Sequence, residues 1–208
     1  MKSNLGKQRG FTLVKMAIVV VLGGILLAAG LVAGRGLISR SQTQDVLQIV
    51  GDLQAASNSF KQRYGYLPGD WVFAANQIPG VTVGGNGDGL ITGIVPASGL
   101  APEGAVRDAP IQLYGAGLIG KMGNTVSMRL QSSFGAVHIA AATAANTSAA
   151  YLTANPGVRN VILLFNLPCE VVLEVDRALD DANDSTGKAM SNVPCVAGNS
   201  AARYIAPL

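Results

Sequence analysis

Histidine and cysteine are scarce in this chain: one His and two Cys in 208 residues. That excludes a zinc cluster of the usual four N/S ligands. Imidazole catalysis would rest on His138 alone, which reads as a structural residue in a strand. Charge is thin as well. Charged residues make up 13% against 49% hydrophobic, which excludes a disordered polyelectrolyte and a nucleic-acid binder built on a basic surface. Aromatics reach only 5% while Gly numbers 26, so the soluble part is expected to be rich in loops. No Pro appears before Pro68. The nucleophile elbow, the zinc-protease helix motif and the P-loop are all missing, and no Asp/Glu pair sits in a recognisable glycosidase context. No enzyme is expected.

What is present is concentrated at the amino terminus. Lys2, Lys7 and Arg9 are three of the 15 basic residues and the remainder balance the 12 acidic ones, so the formal charge of +3 belongs to residues 1–10 and says nothing about an acidic partner. Behind them, Met16 through Gly34 form 19 residues without a charge, bracketed by Lys15 and Arg35. As a helix this run spans roughly 28 Å, close to the ~30 Å hydrocarbon core of a bilayer. Gly23, Gly24, Gly30 and Gly34 interrupt it. In lipid the backbone has no competing hydrogen-bond partner, so the helix is kept. A cleaved secretory signal needs a shorter apolar core and a small-x-small site behind it. A plain single-span anchor fits the length.

The junction ahead of the run supplies a third reading. The string Lys7-Gln8-Arg9-Gly10-Phe11-Thr12-Leu13-Val14 resembles the prepilin peptidase site of type IV pilins and type II secretion pseudopilins. The resemblance implies cleavage after Gly10 and N-methylation of Phe11 as the new amino terminus. It implies an inner-membrane precursor with its leader in the cytoplasm and its head in the periplasm. Assembly with other pilin subunits, on a pilus assembly platform, would follow. Lys2, Lys7 and Arg9 agree with the positive-inside rule, although Arg35 and Arg40 reduce the contrast. One position departs from the family: the fifth residue after the cut is Glu there and Lys15 here. In the family that Glu pairs with the methylated amine of a neighbouring subunit. Lys15 therefore marks either a subunit whose amine finds another partner, or one that cannot sit in the middle of a filament.

The helix is expected to continue past the membrane. Val46, Val50, Leu53, Ser57, Phe60 and Tyr64 recur in steps of three and four, with Leu47 and Ile49 widening the face and Gln44, Asp45, Gln48, Asp52, Gln54 and Lys61 mostly off it. A helix from about Phe11 to Tyr64 is roughly 80 Å long. Gly65 is a natural C′ residue, and Pro68 stands where a helix cannot resume. Gly65 to Trp71 (GYLPGDW) resembles the segment after the spine helix of many minor pilins and pseudopilins. Residues 79–104 read as loop, and 105–157 carry little pattern apart from a strand at Phe134–Ala142. A buried strand is expected over Asn160–Asn166, a short helix over 169–181 and a last strand at Arg203–Ala206. The fold class is α+β: a long N-terminal spine helix packed on a C-terminal antiparallel sheet with a disulfide-stapled end. Its divisions are 1–10 leader, 11–35 transmembrane or filament-core half, 36–64 amphipathic half and 65–208 head.

Two Cys in one exported domain favour a Cys169–Cys195 disulfide, which would tie the 169–181 helix to the C-terminal strand region; the alternative is two free buried thiols. The family resemblance agrees with the bond. A thiol/imidazole pair of Cys169 with His138 is the remaining alternative. Gly84 to Ile91 (GGNGDGLI) looks like the middle of a calcium loop with Asn86 and Asp88 as ligands and Asp70 lending an oxygen, but Gly84 and Val95 stand where acids belong. A Gly-rich turn explains the same residues. Asp180 to Lys188 (DDANDSTGK) resembles a minor-pilin segment in which a helix ends in Leu-Asp-Asp, and reads as a helix-end turn with solvated carboxylates.

The expected function is mechanical: a structural subunit of a type IV pilus or a pilus-like filament. A secretion pseudopilin and a minor or tip pilin are the alternatives within the family. Outside it stand a membrane-anchored adhesin or binding module, and a membrane-bound hydrolase with a cryptic site.

Overall fold

The computed structural model describes residues 13–120, 130–196 and 198–208. The expected leader, with Gly10 and Phe11, lies outside the described residues. The chain divides into two compact units, Met1–Ser41 and Gln42–Leu208. Helix α1 (Leu13–Tyr64, 52 residues) contributes to both.

In the first unit α1 displays its apolar side chains all round. Leu13 is 90% exposed and Leu26 and Leu27 are each 72% exposed. The stretch Leu13–Gly30 is long and apolar enough to cross a membrane, and none of it is buried. A helix apolar on every side needs lipid or other protein around it.

In the second unit the same helix becomes one-sided, as the periodicity predicts. Val46, Val50, Leu53, Ser57 and Phe60 are buried and Tyr64 is half-buried, while Gln44, Gln48, Asp52 and Lys61 are exposed. Thr43 and Ala56 extend the buried stripe. Gly65 ends the helix in the left-handed conformation (φ +80°), its N–H donating to the Lys61 carbonyl at 2.8 Å. An aromatic chain then carries the backbone into the core: Phe60, Tyr64, Trp71 and Phe73 have successive ring centroids 4.6, 6.4 and 5.8 Å apart.

The sheet is antiparallel and five-stranded. In chain order its strands are β1 (Leu130–Gln131), β2 (Ala136–Ala141), β3 (Asn160–Pro168), β4 (Met190–Ser191) and β5 (Ser200–Pro207). Their spatial order is β1-β2-β3-β5-β4. Strand β3 is central, and Val161 through Phe165 are buried without a break, as a strand covered on both faces requires. The α+β class and the antiparallel sheet stand as expected. Val46, Val50, Leu53 and Phe60 of α1 share one core with Ile162, Leu164 and Ile205 of the sheet. Gln54 Nε2 donates to the Pro207 carbonyl at 2.9 Å.

Several boundaries move. The Phe134–Ala142 strand begins only at Ala136, because Ser132 and Gly135 close a turn first (N–H to O, 2.9 Å). The 169–181 helix is α4 (Cys169–Leu179), and the last strand starts earlier than Arg203. Among its described residues the weak 105–157 region holds two helices, α2 (Ala105–Gly115) and α3 (Ala149–Ala154). Pro110 lies inside α2, where its missing N–H and fixed ring argue locally against a helix. Burial of Val106, Ala109 and Leu113 on one face overrides that penalty.

Phe60 is fully buried where α1 meets the core. Phe60→Ala should therefore lower the stability of the folded chain by about 3–5 kcal/mol, against roughly half a kcal/mol or less for exposed Lys61→Ala. Urea unfolding of the detergent-solubilised protein followed by Trp71 fluorescence measures both.

Candidate functional sites

Lys15 occupies the first turn of α1, exposed, with no acidic residue in that turn. The first carboxylate in the whole sequence is Asp45. The first unit thus carries only cations among its charged side chains, and any counter-charge for Lys15 must come from outside that unit.

Asp70, Asn86 and Asp88 do come together, around one loop. Asp70 is 2% exposed. Its Oδ1 accepts the N–H groups of Gly87 (2.8 Å) and Asp88 (3.1 Å), and its Oδ2 accepts that of Gly89 (2.7 Å). Asp88 Oδ1 caps the Leu90 N–H at 2.8 Å, and its Oδ2 accepts from Asn86 Nδ2 at 2.8 Å. Arg159 reaches over the loop to the Asp88 carbonyl at 3.1 Å. The Asn160 side chain ties the loop to β3 through Ile91 N–H (2.9 Å) and the Gly89 carbonyl (3.0 Å). Both carboxylates are aimed at N–H donors, the arrangement of a Gly-rich turn. Among the described residues no three His, Cys, Asp or Glu side chains converge as metal ligands.

The two cysteines are joined, with Cα atoms 5.3 Å apart. The bond links the start of α4 to the loop between β4 and β5. Neither of the alternatives, free thiols or a Cys169–His138 pair, survives this pairing. The acidic segment beside it is more than a solvated turn, which corrects the sequence reading. The Asp180 carboxylate accepts the N–H groups of Lys188 and Ala189 (the latter at 3.0 Å). Gly187 (φ +85°) must lack a side chain, since a Cβ there would run into that carboxylate. Asp181 accepts the Thr186 hydroxyl at 2.6 Å and the Asn183 N–H at 3.0 Å. Asp184 Oδ2 accepts the Cys195 N–H at 2.6 Å, so the loop is shaped around the disulfide by charge-assisted bonds.

Sequence reasoning missed two buried polar groups. Arg203 is 8% exposed and donates to the carbonyls of Val95 (3.1 Å), Ala145 (3.1 Å) and Asn146 while lying over the Phe165 ring, 5.2 Å from its centroid. Burial pulls its pKa down. His138 stands beside it on the same face, its Nε2 2.9 Å from the Gly99 carbonyl, edge-on to Phe165. The histidine lies in a strand, as expected, and is buried there. On the other face Asp176 of α4, fully buried, accepts the Tyr204 hydroxyl at 2.7 Å. Burial is the main cause of its raised pKa, and the charges of Asp181 and Asp180 add to it. Burial also raises the Tyr204 phenol, and pushes the Tyr151 phenol up to about 12. Val172 and Val175 of α4 are buried while Leu179 is exposed, and the sequence carried no sign that Asp176 would be drawn inside.

Over 92 residues, 44% of its length, the chain is 30% identical to the "Fimbrial protein EcpC" of Eikenella corrodens. The match spans 57% of that relative. No family model matches the chain, and no solved structure does.

Reduction of the Cys169–Cys195 bond, which closes a loop of sequence separation 26, should cost about 3 kcal/mol. Urea midpoints with and without reductant test this, and an unchanged midpoint would contradict it. The pH dependence has two opposed parts. Folding favours the protonated form of Asp176, so its contribution is full below the ordinary value of 3.8 and is lost as pH rises through the raised value. Asp181, held low chiefly by Thr186, and Glu170, held low chiefly by the Gly198 N–H, contribute above their ordinary values and lose that contribution as pH falls through the lowered ones. Asp176→Asn keeps an acceptor for Tyr204 and removes the first part alone. Its melting temperature should therefore decline less than the wild type's as pH is raised from about 4.

Proposed function

We propose that this chain is the precursor of a structural subunit of a type IV pilus or pilus-like filament. The observation that carries the reading is the Gly10-Phe11-Thr12-Leu13 junction, directly ahead of a helix whose apolar side chains are exposed all round. The similarity to a fimbrial protein supports the same reading. On this reading prepilin peptidase cuts after Gly10, and Phe11 becomes the methylated amino terminus. The apolar half of α1 rests first in the inner membrane, with the head in the periplasm. It is then transferred by the assembly platform into a filament core among other pilin subunits. The filament is an extracellular pilus or a periplasmic pseudopilus. The chain does no chemistry and needs no cofactor in this role. The processing chemistry is done to it.

Lys15 favours a minor or tip position within that class. In a filament core the amine of Phe11 on a neighbouring subunit would face a second cation. Two like charges 4 Å apart repel by about 4 kcal/mol at an effective dielectric of 20, where Glu would attract by a similar amount. The first unit has no carboxylate of its own to offset this. At the membrane interface before assembly, Lys15 can reach water and costs little. A tip subunit has no neighbour beyond it to demand the pairing.

Expression beside an active prepilin peptidase should give a mature protein starting at methylated Phe11, seen by N-terminal mass analysis. Retention of Met1 would reject the family reading and favour a plain anchored adhesin or binding module. In the same cells Lys15→Glu should leave the amount of processed protein unchanged and raise its share of sheared filament roughly tenfold or more. Equal filament yields, with the wild type labelled along the whole shaft, would remove the tip assignment alone.

A further inference from the structure

Asn86–Gly87 is the single Asn-Gly dipeptide of the chain and Asp88–Gly89 its single Asp-Gly, and the two are consecutive. These dipeptides are the ones most prone to succinimide formation, because glycine presents no side chain to hinder attack by its own nitrogen. At Asn86 the Gly87 amide loses its proton to base and its nitrogen attacks Cγ. The Cγ–Nδ2 bond breaks, and ammonia leaves with a proton from water. Water then opens the five-membered ring to aspartate or isoaspartate. At Asp88 the Gly89 nitrogen does the same and a water molecule leaves. No oxidant or enzyme is needed.

Both attacking nitrogens are held by one side chain. The N–H of Gly87 lies 2.8 Å from Asp70 Oδ1 and that of Gly89 2.7 Å from Oδ2, with the intervening Asp88 N–H also on Oδ1 at 3.1 Å. The Gly87 N–H points at the Asp70 main-chain carbonyl too, at 3.1 Å. A carboxylate accepting these bonds makes the protons harder to remove and restrains the two nitrogens in their present orientation. Asp70 itself is 2% exposed and is anchored between Gly69, whose N–H donates to Gln112 Oε1 at 2.6 Å, and buried Trp71. Asn86 and Asp88, by contrast, are exposed to the water that the reaction consumes.

We infer that Asn86–Gly87 and Asp88–Gly89 form a latent modification site, spontaneously deamidating and isomerising, which the buried Asp70 carboxylate holds shut. Its opening has a built-in consequence. Deamidation replaces the Asn86 Nδ2 donor, 2.8 Å from Asp88 Oδ2, with an anion facing an anion. The loop edge then loses its own closing bond, and the first modification weakens the hold on the second.

The test uses the full-length chain in detergent, incubated at mildly alkaline pH in water enriched in heavy oxygen and mapped by peptide mass spectrometry. Ring opening leaves one heavy oxygen at each modified position. The folded wild type should label at Asn86 and Asp88 at least about tenfold more slowly than the same chain in concentrated urea, since reaction waits on local opening. Asp70→Asn, which forfeits the charge and one acceptor, should bring the folded rate at both positions at least about tenfold closer to the urea rate. Labelling at Asn199 serves as the internal reference. Should Asp70→Asn fail to fold, the wild type in sub-denaturing urea replaces it. Labelling at Asn86 should then rise in step with hydrogen exchange of the Gly87 amide. Equal rates in folded and unfolded wild type would overturn the inference, as would a folded Asp70→Asn that labels like wild type, or labelling uncoupled from Gly87 exchange. None of these results bears on whether the chain enters a filament.

Discussion

Strand β3 is buried on both faces, and that demand organises the second unit. Five consecutive side chains from Val161 to Phe165 must be shielded, and they alternate between the two sides of the sheet. On the side of Tyr204, helix α4 packs against β3 and β5 and sends Asp176 to the phenol. On the side of Phe165 and Arg203, the cover is largely irregular chain around residues 91–104. Irregular chain brings backbone groups into the interior without a ladder to satisfy them. Side chains fill that need: Asn146 for Val95 and Gly93, Asn160 for Ile91 and Gly89, Arg203 for Val95 and Asn146, Asp70 for the Gly-rich turn. A sheet core this small is held by polar side chains standing in for secondary structure.

The same logic governs the disulfide region. Asp180, Asp181 and Asp184 each accept bonds from nearby N–H or hydroxyl groups, so the loop carrying Cys195 is shaped before the covalent bond is counted. The bond then restricts the unfolded chain more than it shapes the folded one. In the first unit the order of dependence is reversed. Nothing within residues 13–30 covers its own surface, so its stability belongs to whatever surrounds it, lipid or protein.

Legibility followed the strength of periodic burial. The stripe from Val46 to Tyr64 could be read because a long helix repeats its pattern often enough to outweigh single exceptions such as Ser57. Strand β3 could be read because Val-Ile-Leu-Leu-Phe admits few exposed alternatives. Helix α2 could not, since Gly104 and Pro110 carry local signals against it and only burial of Val106 and Leu113 reverses them. The two-residue strands β1 and β4 have no period to detect. In the Asp70 loop the residues were found but their chemistry was ambiguous. An acid among glycines serves a cation or a set of N–H groups equally well on paper, and only the direction of the donors distinguishes them. Arg203 gave no sign at all, because a lone basic residue in a strand is normally a solvated one.

Among the described residues one ion pair is formed, Arg107 to Asp108, between sequence neighbours, with the guanidinium exposed and the carboxylate buried. The carboxylates of Asp45, Asp70, Asp88, Glu170, Asp176, Asp180, Asp181 and Asp184 instead bond to backbone N–H groups, hydroxyls or, for Asp88, also the Asn86 amide, neutral partners that dissolved ions screen less than they screen a surface ion pair. Dissolved electrolyte therefore has little purchase on this unit. A change of ionic strength would be felt at the cationic end of the chain, where Lys15 and its basic neighbours stand without a carboxylate, and hardly at all in the fold that end carries.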